Sequence, residues 1–193
     1  MRSVWIAIGS LLLAGGVGAQ PSDMGIPCNV RAERAAFKAV AGECEGGWVE
    51  GQGKAESLDG ETYEGEFEQG YFHGRGTLTK ADGSKYSGQF ERSELHGRGT
   101  MRWADGSSYT GQWRHDQPEG QGTLIRADGT RYSGEFEDGK PHGRGKASYA
   151  DGSSFEGRFV NGQPEGKGKY TDPQGQTHMA EVEGGKATIE VPE

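Results

Sequence analysis

Residues 63–85 read YEGEFEQGYFHGRGTLTKADGSK, a stretch with five glycines, one Leu and no Ile or Val. A core of buried aliphatic side chains cannot be built from it. In its first six residues Tyr63, Gly65 and Phe67 alternate with Glu64, Glu66 and Glu68. Alternation with a period of two marks a β-strand with one aromatic and one acidic face. Further on, Gly76, Leu78 and Lys80 share one face and Thr77 and Thr79 the other. The residues between them, EQGYFHG, suit a tight turn, and Asp82-Gly83 closes the unit. The stretch reads as a β-hairpin.

In rows of 23 residues, Tyr63, Tyr86, Tyr109, Tyr132 and Phe155 fall in one column. Two places on stand Gly65, Gly88, Gly111, Gly134 and Gly157, and two further Phe67, Phe90, Trp113, Phe136 and Phe159. A glycine pair follows in each row, and an Asp-Gly step near its end, with Gln174-Gly175 last. A weaker row begins at Val40. Composition alone points elsewhere: Leu, Ile, Val and Phe make up 27 of 193 residues against 36 glycines, with a net charge of -8. Such proportions describe a disordered chain. A repeat in unbroken phase overrides that reading.

These columns resemble the MORN repeat family, whose unit runs Tyr-x-Gly-x-aromatic, then glycines, then a closing Asn- or Asp-Gly. The resemblance covers residues 40–177 as six units (40–62, 63–85, 86–108, 109–131, 132–154 and 155–177). Val40 and Cys44 replace both aromatics of the first unit, and Ser93 and Asp116 replace a turn glycine present at Gly70, Gly139 and Gly162. Pro173 before Gln174-Gly175 predicts an irregular last turn.

The expected fold is all-β: a single-layer antiparallel meander of about six hairpins forming a curved, elongated sheet. A ring lying over a neighbouring glycine supplies packing that a second layer would otherwise provide. Both ends of such a rod need protection. Residues 29–40, NVRAERAAFKAV, read as a short helical cap started by Asn29, within a leading segment 20–39. Residues 178–193 read as a capping hairpin turning at Gly184-Gly185.

Residues 1–19 have a positive charge at Arg2, an apolar run from Val4 to Ala14 and small residues before Gln20, the pattern of a secretory signal peptide. An uncleaved anchor is the alternative. In an exported chain the two cysteines, Cys28 and Cys44, are expected to form a disulfide. His73, His96 and His142 recur in one slot, about 10 Å apart along a sheet, too far to share a metal at about 2 Å. No nucleophile, base and orienting group come together, and no GxGxxG opens a helix. The reading is a non-enzyme with no cofactor and no metal. Nucleic acid is disfavoured by the negative charge and by export.

What remains is binding. The resemblance implies an assembly platform for a protein partner or a second copy of the chain, here in the periplasm or outside the cell. The alternative is an envelope lipid headgroup or glycan, met by the basic column Arg75, Arg98, Arg144 and Lys167. The bland reading pairs those cations with nearby acids such as Glu64, Glu66 and Glu135. Phe72, Trp103 and Tyr149 are large apolar residues outside the fixed columns, so repeat packing does not call for them, and they are candidate contact residues. Tyr63, Tyr86, Tyr109, Trp113 and Tyr132 form a second set, because a one-layer sheet is expected to leave part of its aromatic face open.

Overall fold

The computed structural model of the protein describes residues 28–32, 37–184 and 186–189. The expected signal segment 1–19 lies outside them, as do Gly185 and residues 190–193. Fourteen strands follow one another in chain order. The first two are β1 (Phe37–Glu45) and β2 (Trp48–Ser57). The five regular repeats supply β3 (Thr62–Glu68) and β4 (Tyr71–Thr79), β5 (Lys85–Glu91) and β6 (Glu94–Arg102), and β7 (Ser108–Arg114) and β8 (Gln117–Ile125). They continue with β9 (Arg131–Glu137) and β10 (Lys140–Ser148), then β11 (Ser154–Val160) and β12 (Gln163–Thr171). A terminal hairpin, β13 (Thr177–Glu183) and β14 (Lys186–Ile189), completes one antiparallel sheet.

Glycines form a stripe across this sheet. Gly65 is paired with Gly76, Gly76 with Gly88, Gly88 with Gly99, and so on to Gly157. Tyr63, Tyr86, Tyr109 and Tyr132 lie on the stripe: a Cβ at Gly99 would collide with Oη, Cζ and Cε2 of Tyr86, and one at Gly76 with the same atoms of Tyr63. The ring therefore packs on bare backbone, and only glycine leaves room for it. Beside the stripe each of the five regular hairpins carries a bulge, seen as a register shift between Gly65 and Glu66 and again between Gly88 and Gln89. The glycines there, such as Gly74 (φ 54°) and Gly97 (φ 58°), take left-handed backbone. Two side chains support the bulge. The tyrosine hydroxyl donates to a carbonyl of the bulged segment, Tyr63 to Glu66 at 2.8 Å and Tyr86 to Gln89 at 2.9 Å. The acid or amide one residue before the second aromatic folds back as acceptor. Glu66 takes the Arg75 N–H at 3.0 Å, Gln89 the Arg98 N–H at 2.8 Å and Gln112 the Gln121 N–H at 2.8 Å.

A ladder of hydrogen bonds joins the hairpin turns. The second turn residue donates to a carbonyl of the preceding hairpin: Gly70 to Val49, Ser93 to Phe72, Asp116 to Leu95, Gly139 to Pro118 and Gly162 to Pro141. The two places where glycine is missing now have a reason. Ser93 (φ 68°) and Asp116 (φ 66°) tolerate a left-handed backbone, and their side chains accept the N–H of Phe72 at 3.1 Å and of Leu95 at 3.0 Å. Where the turn residue is Gly139 or Gly162, the facing residue is Pro118 or Pro141, which has no N–H to satisfy. At the opposite ends of the strands, Asp82, Asp105, Asp128 and Asp151 each accept the N–H two residues on, at 2.8 to 2.9 Å. The hydroxyls of Ser107 and Ser153 first at Asp105 and Asp151, and the backbone N–H bonds first at Asp82 and Asp128, hold the four carboxyls below their ordinary pKa.

Three expectations need correction. No helix occurs among the described residues: Asn29 and Arg31 make isolated bridges, and Phe37 to Val40 belong to β1. Residues 33–36 of that expected helix lie outside the described residues; from residue 37 on, β2 offers an unpaired edge and Phe37 packs edge-on against Phe72, with ring centroids 5.0 Å apart. The first unit also slips. Bulges between Ala39 and Glu43 set Ala39 opposite Ala55 and leave Val40 exposed. The last turn, by contrast, is regular. Gly175 donates to Asp172 as Gly83 does to Lys80, proline suits the position after the first turn residue, and Asp172 accepts the N–H of Gln176 at 2.7 Å.

Two measurements check this account. Gly99→Ala should cost about 1–3 kcal/mol through overpacking, more than the roughly 1 kcal/mol expected for the lost hydroxyl of Tyr86→Phe, by denaturant melts; equal costs would contradict the ring-on-glycine contact. Leu95→Pro should be rescued in part by Asp116→Gly, recreating the Pro118–Gly139 arrangement, and additive losses in that double mutant cycle would refute the ladder.

Candidate functional site

The two faces of the sheet differ. The aromatic face is closed: Tyr63, Tyr86 and Tyr109 are fully buried, and Trp113 and Tyr132 are 4% exposed. Neighbouring rings meet edge to face, as in Tyr63–Phe90 and Tyr109–Phe136, at centroid separations of 5.0 and 4.9 Å. Burial pushes the phenols of Tyr63 and Tyr86 far up and those of Tyr109 and Tyr132 up to about 12. The expectation of an open aromatic face is therefore corrected: the rings cover glycine below and one another at the sides. Phe72, outside the columns, is buried too and stacks on Tyr63 at 3.8 Å. Trp103 is half-buried against the core, and Tyr149 is 37% exposed. Tyr149 borders a small cleft of about 60 Å³ with Leu124, Pro141, Ala147 and Pro164. Trp103 and Tyr149 occupy equivalent slots two repeats apart, so the structure does not bring them into one cluster.

The polar face is a shallow trough holding indentations of about 780, 580 and 980 Å³. Glycine backbone forms part of each floor. Arg75, Arg98, Arg144 and Lys167 line it. Among the described residues Arg75, Arg98 and Arg144 form no ion pair with Glu64, Glu66 or Glu135. Glu66 is turned onto the backbone N–H of Arg75, and Glu135 lies over Gly143. This acceptor role of Glu66, Gln89 and Gln112 was the signal missed in the sequence, although the three recur in one slot with Glu135. The histidines face acids across their own turns: His73–Glu68 at 3.1 Å, His96–Glu91 at 3.3 Å and His142–Glu137 at 3.3 Å. Among the described residues no three His, Cys, Asp or Glu side chains are placed to hold a metal ion.

The family model of the MORN repeat matches residues 63–85, 86–108, 109–131, 132–154 and 155–177. The chain belongs to the MORN-repeat family. The slipped first hairpin lies outside the matched MORN units. Curated proteins show no match to the sequence. Among solved structures the sheet is similar to the TCP10 domain of Danio rerio CPAP, at 15% identity and a TM-score of 0.45 over 82% of this chain and 74% of that one. It is also similar to the TCP domain of Drosophila melanogaster SAS-4 (dCPAP), solved with a proline-rich motif of Ana2 (dSTIL), at 9% identity and a TM-score of 0.43 over 86% and 97%. At that distance the likeness says nothing of function.

A strap closes the front of the MORN sheet. Residues 28–32 cross the turns of the first three hairpins: Asn29 donates to Gly47, Arg31 to Gly70, and the Ser93 hydroxyl to the Arg31 carbonyl. The Asn29 carbonyl accepts the N–H of Val49 at 3.2 Å, the role that Ser93 and Asp116 fill in the next hairpins. The Arg31 guanidinium lies 3.8 Å from the centroid of the Trp48 ring, and Cys28 is disulfide-bonded to Cys44. Cys44→Ser should cost about 3 kcal/mol on the loop-entropy estimate. In hydrogen exchange it should expose the amides of Arg31, Val49 and Gly70 while residues 109–177 stay protected. Uniform loss of protection would contradict a local strap.

Proposed function

We propose that the protein is an exported, non-enzymatic MORN scaffold that binds a protein partner in the cell envelope. The observation that carries this reading is the asymmetry of the sheet. One face is consumed by its own aromatic packing, and the other is left open as a trough running along the rod, a shape suited to an extended partner. The Cys28–Cys44 disulfide supports an oxidising compartment, in agreement with the signal pattern of residues 1–19. Trp103 and Tyr149 are proposed as apolar contacts at the rim of the closed face, outside the fixed columns. The basic column favours an anionic lipid headgroup as the alternative occupant of the trough.

Crosslinking in the cell, followed by identification of what is joined to the tagged protein, tests the reading. A specific envelope protein should be captured, and Trp103→Ala and Tyr149→Ala should each weaken capture while the protein stays folded, the exposed Tyr149 costing less stability than Trp103, which packs against the core. Capture of lipid alone would favour the alternative. N-terminal mass analysis of the exported fraction should find Gln20 first, and finding Met1 there would indicate an anchor.

A further inference from the structure

One place in the trough departs from the repeat, and it departs against stability. Across neighbouring strands the row of Arg75 forms the pairs Gln52–Glu66, Arg75–Gln89, Arg98–Gln112, Gln121–Glu135, Arg144–Arg158 and Lys167–Glu181. Arg144–Arg158 alone among them sets like charges directly opposite on one face, an unfavourable arrangement. Arg158 also stands in the slot where Glu66, Gln89 and Gln112 accept a backbone N–H at the bulge, which a guanidinium cannot do. In the same repeat Phe155 replaces the tyrosine whose hydroxyl supports the bulge elsewhere. Among the described residues, the guanidinium groups of Arg144 and Arg158 form no ion pair. They open, beside Lys146, into the indentation of about 980 Å³, whose lining also holds Glu135 and Glu156. In a chain of net charge -8, this concentrates positive charge locally.

We propose that the trough over β10–β12 is an anion site whose occupant is an acidic, extended segment of the protein partner, with a carboxylate held between Arg144 and Arg158. This rests on the scaffold reading above and names the chemistry of the partner. Two guanidinium forks match the planar, two-oxygen geometry of carboxylates. A peptide can lie along a recessed floor. A flat anionic bilayer meets the rim first and is repelled by the net charge of the protein.

Titration of the whole exported protein with a labelled peptide of alternating Glu and Ser tests the site, with a Lys-Ser peptide and phosphatidylglycerol vesicles as comparisons. The acidic peptide should bind saturably and more weakly as salt rises. Arg158→Gln should weaken it at least tenfold while keeping or raising the melting temperature, because glutamine restores the acceptor present at Gln89 and Gln112. Arg144→Gln should also weaken binding, and Arg98→Gln, at the neutral-paired position, should change it less than threefold. No saturable binding of the acidic peptide, equal binding by Arg158→Gln, or binding of vesicles without peptide would each overturn the proposal. The cell crosslinking separates the two readings. A partner captured equally by wild type and Arg158→Gln removes this site and leaves the scaffold standing, whereas no captured partner removes both.

Discussion

The contact of the tyrosine rings of the repeat column with bare glycine backbone governs the rest of the structure. Single-layer sheets have no opposing layer to bury their apolar face, and this chain has few aliphatic side chains with which to build one. The glycine stripe lets each ring sink onto the sheet instead, and edge-to-face neighbours complete the cover. Burial then arises from contacts within a hairpin and between adjacent hairpins, so stability is additive along the rod. The same contact explains why glycine abundance and an ordered fold coexist here. Glycine's entropic cost is offset where a ring occupies the space a Cβ would take.

Closing one face has a consequence for the other. With the aromatic side sealed, binding surface must come from the polar trough or from residues at the rim such as Tyr149. The trough is also where the repeat can vary, because most of its side chains support nothing underneath. Glu66, Gln89 and Gln112 are the exceptions, and Arg158 is conspicuous because it gives up their function. A departure that costs structural support marks a position where something other than folding has set the residue.

The hairpins, their order and the closing terminal hairpin were legible in the sequence because a period of 23 residues repeats local rules: alternation, a bulge, a turn. What failed was not periodic. The strand at Phe37 to Val40 looked helical because its partner edge on β2 is a tertiary fact that no local propensity contains. Phe72 looked free because it stands outside the columns, yet it stacks on Tyr63. Ser93 and Asp116 looked like defects because their bonds reach across to a neighbouring hairpin. The trough was legible as a row of arginines, but the turning of Glu66 away from them required the geometry of the bulge.

Tyrosine nitration of the native protein, mapped by mass spectrometry, tests the central claim most directly. The account predicts that tetranitromethane modifies Tyr149 while Tyr63, Tyr86, Tyr109 and Tyr132 remain unmodified until the protein unfolds. Modification of those four in the folded protein, at rates near that of Tyr149, would contradict a closed aromatic face and the ring-on-glycine packing that makes it.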